Sequence, residues 1–174
     1  MMRMLELGGM PVLTDGVRAA DEDNPLGYYE YERAKSIQAD PSFLKDAEGK
    51  AFKIVSRLLF HLPAARRYKV LFMRRDLDEM IASQNTMLRR QGKQVAGDDA
   101  RVKAMLQRHL DEVEAWSKQQ RAAELVQVSY NRLLASPEAE IDRVVTFLDG
   151  AVDGAQMRRA IDPSLYRNRG NGNS

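Results

Sequence analysis

Tyr68-Lys69-Val70-Leu71-Phe72-Met73-Arg74-Arg75-Asp76-Leu77-Asp78-Glu79-Met80-Ile81-Ala82-Ser83 is the stretch that decides the fold of this chain. Its first half is the best strand in the sequence. The apolar run at 70–73 does not alternate with polar residues, which suits a strand buried on both faces of a parallel sheet. Helix is expected at once, over residues 76–90. An arginine at a strand end, beside a helix N-terminus, suits a phosphate. The guanidinium makes paired charge-assisted hydrogen bonds, and the helix end adds free N–H groups and a positive dipole. Ser83 lies seven residues past Asp76, nearly two turns, so both fall on one helical stripe. A phosphate on that stripe would meet the arginine and the serine hydroxyl together. Asp76, Asp78 and Glu79 suit the helix dipole but would repel an anion unless turned to solvent.

Outward from this segment, strands and helices alternate. A short helix is expected at 1–7, ending at Gly8-Gly9, where glycine can take the left-handed cap. Short strands are expected at 11–13 and 51–55, with a polar loop at 14–27 and helices at 28–37 and from Asp40-Pro41 to near Gly49. A long amphipathic helix is expected at 98–122, its stripe formed by Val102, Met105, Leu106, Leu110, Val113 and Trp116. A strand follows at 124–128. Ser136 as N-cap and Pro137 at the first helical position open a further helix with Ile141, Val144, Val145 and Leu148 inward. This alternation predicts a three-layer α/β domain: a mostly parallel sheet flanked by helices, with ligands at the carboxyl ends of its strands.

The bulk properties narrow the function classes. The 174 residues suit one domain, expected over 1–166 with a flexible tail at 167–174. There are 27 basic and 25 acidic residues, an excess too small to argue for nucleic acid. No run has the apolar length of a membrane span, and the first residues lack a signal-peptide pattern. Cysteine is absent, which excludes thiolate and disulfide chemistry and is compatible with a cytoplasmic setting. No metal-ligand spacing stands out, and the nine methionines read as core filler. His109, on the apolar stripe of the long helix, reads as a core histidine with a hydrogen-bonded partner.

Several motifs, in order, resemble the sulfotransferase family. Arg75 followed eight positions later by Ser83 is similar to the arginine and serine that bind the donor's 3′-phosphate, although Asp76-Leu77 lacks the proline many members carry. Asn24-Pro25-Leu26-Gly27-Tyr28-Tyr29-Glu30 resembles the Asn-Pro-x-Gly-Tyr-aromatic-Glu segment of bacterial members. Lys53 through His61-Leu62-Pro63 looks like the lysine-bearing strand ahead of the 3′-phosphate motif. The segment 130–149 is similar to a late family segment whose tyrosine, here Tyr130, lies near the nucleotide. Asp162 to Arg169 looks like the end of bacterial members, with Arg167 and Arg169 as further nucleotide ligands.

The resemblance implies a P-loop NTPase-like fold and transfer of sulfonate from 3′-phosphoadenosine 5′-phosphosulfate, without metal, to a hydroxyl or amine on a small-molecule or carbohydrate acceptor. It implies that Lys53 steadies the oxygen bridging phosphate and sulfonate, an electrostatic role. His61 is a candidate general base, with an ordinary turn favoured, and Glu30 is another candidate if burial raises its pKa. The Pro-Arg-Ser-Gly-Thr-type loop that holds the 5′-phosphosulfate, and the first strand before it, are not seen ahead of the 1–7 helix. A chain without them is expected to expose strand edges, to be prone to self-association as a homo-oligomer, to bind the desulfated nucleotide weakly and not to transfer. The rival reading is therefore a non-catalytic, degenerate or truncated nucleotide-binding or interaction protein.

Overall fold

The computed structural model describes residues 1–18, 20, 24, 27–94 and 97–161. Its regular elements are α1 (Met2–Leu7), β1 (Tyr68–Arg74), α2 (Leu77–Arg90), α3 (Asp99–Gln119), β2 (Ala123–Ser129), α4 (Tyr130–Ala135), α5 (Pro137–Phe147) and α6 (Gly154–Arg158). β1 and β2 pair in parallel, with Tyr68 opposite Ala123 and Arg74 opposite Ser129.

The unbroken apolar run of β1 is explained by helices on both faces. Leu71, with Val126 and Val128 of β2, packs against α1, α5 and α6 through Met4, Leu5, Ile141, Val144 and Met157. Val70 and Phe72 pack on the other face against Val113, Leu110 and Trp116 of α3 and Leu59 of the 3-10 turn Ser56–His61. Burying each such aliphatic side chain contributes about 1.5–3 kcal/mol. A third cluster, Ala34, Ile37, Phe43, Leu44 and Ala47, fills the irregular segment ahead of β1, where the Phe43 ring meets Phe52 edge-on at 5.4 Å. The layered α/β arrangement is as the alternation predicts, but the sheet has two strands among the described residues.

The expected strands at 11–13 and 51–55 shrink to one parallel bridge between Val12 and Ala51. Ala51 N–H donates to Pro11 O and Leu13 N–H to Ala51 O, each at 2.8 Å. The ladder cannot continue backwards because Pro11 has no N–H. It does not continue forwards because Asp15 N–H turns to Glu30 O at 3.3 Å. The helix expected at 28–37 is only a 3-10 turn, Glu32–Ser36. Tyr29 has a positive φ of 50° and Tyr31 is extended, so no helix can begin before Glu32, whose N–H donates to the Asp15 carboxylate.

Two helix ends differ from expectation. α3 stops at Gln119, and Met105 on its stripe is 53% exposed, because the packing against Phe72 and Leu59 reaches only its second half. Ser136 makes no side-chain cap to α5; Ser129 instead caps α4, a helix not expected from the sequence, by accepting from Arg132 N–H at 3.2 Å. At the end of α1 the left-handed residue is Gly9, with φ +92°. Gly8 is needed for a different reason: a Cβ there would stand 2.8 Å from Met157 Cγ, so glycine lets α6 approach α1.

Candidate functional site

The parallel register builds the first half of the site. Because Arg74 stands opposite Ser129, the next residues, Arg75 and Tyr130, leave the carboxyl edge of the sheet side by side. The Arg75 guanidinium carbon lies 5.1 Å from the centre of the Tyr130 ring, a cation–π distance. Arg75 Nε stands 3.6 Å from Glu79 Oε2, and Asn131 Nδ2 donates to that same oxygen at 3.1 Å. Asn131 Oδ1 accepts from Asp76 N–H at 3.3 Å, which ties α4 to the start of α2.

Glu79 and Ser83 stand four residues apart on α2, and Arg75 lies just ahead of its N-cap, Asp76. Ser83 is half-buried on α2, and its hydroxyl makes no hydrogen bond among the described residues. Arg75 Nε is buried and has no hydrogen-bond partner there either. The Glu79 carboxylate beside it, at 3.6 Å, is beyond hydrogen-bond range.

The acidic residues around this arginine divide. Asp76 caps α2, its carboxylate accepting from Glu79 N–H at 3.0 Å, and Asp78 pairs with Lys103 at 2.7 Å. Glu79 is not turned to solvent. Its side chain is 8% exposed and faces the arginine. The Asp76-x-x-Glu79 spacing would allow a reciprocal capping box. Asn131 takes the Asp76 N–H instead, which leaves the Glu79 carboxylate available to orient Arg75.

The second half of the site is built on irregular backbone. A turn closes with Gly27 N–H donating to Asn24 O at 3.1 Å, and Gly27 has φ +82°, which glycine adopts without strain. The turn and the left-handed Tyr29 direct the Tyr28 carbonyl at Lys53, whose Nζ donates to it at 2.5 Å. Lys53 also lies 3.6 Å from Glu30 Oε1. Glu30 pairs in addition with Arg18 and Lys35, each at 3.1 Å, and the Arg18 guanidinium carbon sits 3.3 Å from the Tyr28 ring centre. Three cations therefore surround one carboxylate.

The electrostatics follow from this crowding. Burial lowers the Lys53 pKa from the ordinary lysine value, against the opposing pull of Glu30. Burial pushes Glu30 up, but the bond from Lys35 and the charges of Lys53, Lys35 and Arg18 outweigh it and hold the carboxyl below its ordinary range. The condition for Glu30 as a base, a pKa raised by burial, is not met. Next to it, burial and a 2.5 Å bond to Glu6 push the Tyr29 phenol up to about 12.

The structure thus joins Arg75 with Tyr130, and Lys53 with Glu30, as two clusters. His61 belongs to neither; it ends the 3-10 turn Ser56–His61 and is exposed. Arg167 and Arg169 lie outside the described residues. His109 is a core histidine as expected, 2.7 Å from Ser56 Oγ and edge-on to Phe60. Among the described residues no group of His, Cys, Asp and Glu could hold a metal, and no helix is long and apolar enough to cross a membrane.

Sequence reasoning missed Glu79 and Asn131 as partners, and Arg18 as the cation over Tyr28. Glu79 had a usable signal, its four-residue step from Arg75. Asn131 had none, since its place depends on strand register.

Comparison with known proteins fits this geometry. A family model described as the sulfotransferase family matches residues 20–153, more than half of the chain and a span that holds both clusters. No curated protein and no solved structure matches. With that span matched, the chain belongs to the sulfotransferase family.

Proposed function

We propose that the chain moves a sulfonate group from 3′-phosphoadenosine 5′-phosphosulfate to a hydroxyl or amine of a small-molecule or carbohydrate acceptor. The observation that carries this reading is the Arg75 corner: a guanidinium laid against an aromatic ring, its buried Nε without a hydrogen-bond partner, at the start of the helix that carries Ser83. In this reading Arg75 and Ser83 hold the 3′-phosphate and the Tyr130 ring flanks the nucleotide.

The donor supplies an activated sulfonate, whose bond to a phosphate oxygen breaks as the acceptor oxygen or nitrogen bonds to sulfur. Lys53 stands ready for the charge that develops on the departing oxygen. A cation helps most where charge appears only in the transition state. Its hold on the Tyr28 carbonyl and Glu30 fixes its position without neutralising it, because Glu30 is shared with Arg18 and Lys35. The acceptor proton leaves to a base. Of the two candidates in the sequence, Glu30 stands beside Lys53 but its carboxyl is held below its ordinary range, and His61 is exposed at the end of its 3-10 turn.

The test pairs calorimetric binding of adenosine 3′,5′-bisphosphate with transfer of labelled sulfonate to a broad panel of alcohols, amines and sugars. Binding and transfer together support the proposal. Binding without transfer to any acceptor would establish the rival reading of a nucleotide-binding, non-catalytic protein, and the absence of both would overturn the assignment of Arg75.

A further inference from the structure

Arg74, the neighbour of Arg75, belongs to a different cluster. It lines a cleft of about 290 Å³ together with Gln127, Ser129, Arg132 and Arg143 at the carboxyl end of the strand pair. One carboxylate organises this cleft from below. Glu140 is 1% exposed, accepts Ser129 N–H at 3.1 Å, and receives Arg143 Nη1 on both oxygens at 3.0 Å. Arg143 is anchored a second time, its Nη2 donating to Gln127 O at 3.1 Å. Arg132 Nε stands 3.6 Å from Glu140, with its side chain 74% exposed. Arg74 ends β1, and no side-chain hydrogen bond or ion pair of it is seen among the described residues.

A structural role accounts for part of this arrangement. Glu140 and Arg143 clamp α5 to the edge of β2, and a buried carboxylate needs one such partner. That role needs neither Arg74 nor Arg132. Three guanidiniums line the cleft and two of them share the Glu140 carboxylate, which leaves two positive charges in excess, with one arginine anchored twice and so preorganised. Guanidinium forks match the paired oxygens of tetrahedral oxyanions.

We propose that this cleft binds a sulfate or phosphate group, separately from the Arg75 corner, with Arg74 and Arg132 as ligands and Arg143 as the fixed donor. The ligand class is a tetrahedral oxyanion, free or esterified. The inference does not depend on the donor assignment, because the two sites use different arginines.

The test is a sodium sulfate titration at constant ionic strength, followed by the side-chain Nε–Hε signals of labelled arginine. It is run on the chain carrying Arg75→Ala, so that Arg75 cannot hold the ion. The expected result is saturable movement of the Arg74, Arg132 and Arg143 signals. Arg74→Gln and Arg132→Gln should each weaken binding roughly tenfold, the lower range for one charge-assisted hydrogen bond. Arg108→Gln, at an exposed position on α3, should leave it unchanged. Replacing the salt by p-nitrophenyl sulfate separates the sources: tighter binding of the ester assigns a group carried on a ligand, and tighter binding of the ion assigns a free anion. Unsaturable shifts shared equally by Arg108 would overturn the proposal. So would loss of all binding on Arg75→Ala with no effect of Arg74→Gln, which would place the anion in the Arg75 corner.

Discussion

The Arg75 corner and the Lys53 loop both present a cation held beside a carboxylate, but they are built in opposite ways. Arg75 stands where a strand becomes a helix, and strand register brings Tyr130 and Asn131 to it. Lys53 stands on irregular chain and is fixed by a backbone carbonyl and a shared glutamate. Arginine keeps its charge at any pH the protein meets, which suits a permanent anion. Lysine is titratable, and burial here lowers the pKa of Lys53, which suits a charge needed most when the leaving oxygen gains its own. The corner is thus the better candidate for binding and the loop for turnover.

The sharpest way to break this division is Lys53→Ala in steady-state kinetics, in a version of the chain with the 5′-phosphosulfate loop added. The turnover number should fall by roughly 10²–10³, the loss seen when one donor to developing charge is removed, while the nucleotide Kd stays the same. A large loss of affinity with intact turnover would reverse the roles of the two regions.

Next in size is stability, measured by urea unfolding. Asn131→Ala strips hydrogen bonds from Glu79 and from Asp76 N–H and should cost about 1–2 kcal/mol. Arg18→Ala, in the loop, breaks an exposed ion pair and should cost only about 0.2–1 kcal/mol. Equal losses would mean that the corner is no better fixed than the loop.

The smallest effect is a pH trend. Folded Lys53 holds its proton less tightly than the unfolded chain does, so the unfolded state binds more protons below the ordinary value of 10.5. The stability contributed by Lys53 should therefore rise as pH climbs toward 10.5. Lys53→Met, which removes the buried charge, should gain most over the parent at neutral pH, and the gain should shrink as pH rises. A gain that grows with pH would contradict the sign.

Much of the corner was legible in the sequence. The unbroken run at 70–73 announced a strand covered on both faces, and the helices on either side bear that out for Val70, Leu71 and Phe72, while Met73 is exposed. The helix expected after the strand is present as α2, with Asp76 as its N-cap and Ser83 in its second turn. What the sequence did not show depends on distant pairing. Register puts Tyr130 and Asn131 beside Arg75, and Asn131 then diverts Glu79 from its cap toward the arginine. In the loop, the motif at 24–30 was recognisable, but the strand at 51–55 was overread. Five residues of strand-like composition cannot make a ladder against Pro11, which lacks a donor. The stripe of α3 was likewise overread at Met105, since helical spacing reports a face and not what covers it.

The central claim, that Arg75 and not its neighbour holds the nucleotide phosphate, is tested most directly by calorimetric titration of adenosine 3′,5′-bisphosphate into Arg75→Ala and Arg74→Ala. Removing the charge-assisted bonds of Arg75 should weaken binding by about 1.5–3 kcal/mol, while Arg74→Ala should leave it close to the parent. Equal losses in the two variants, or a larger loss in Arg74→Ala, would contradict the account.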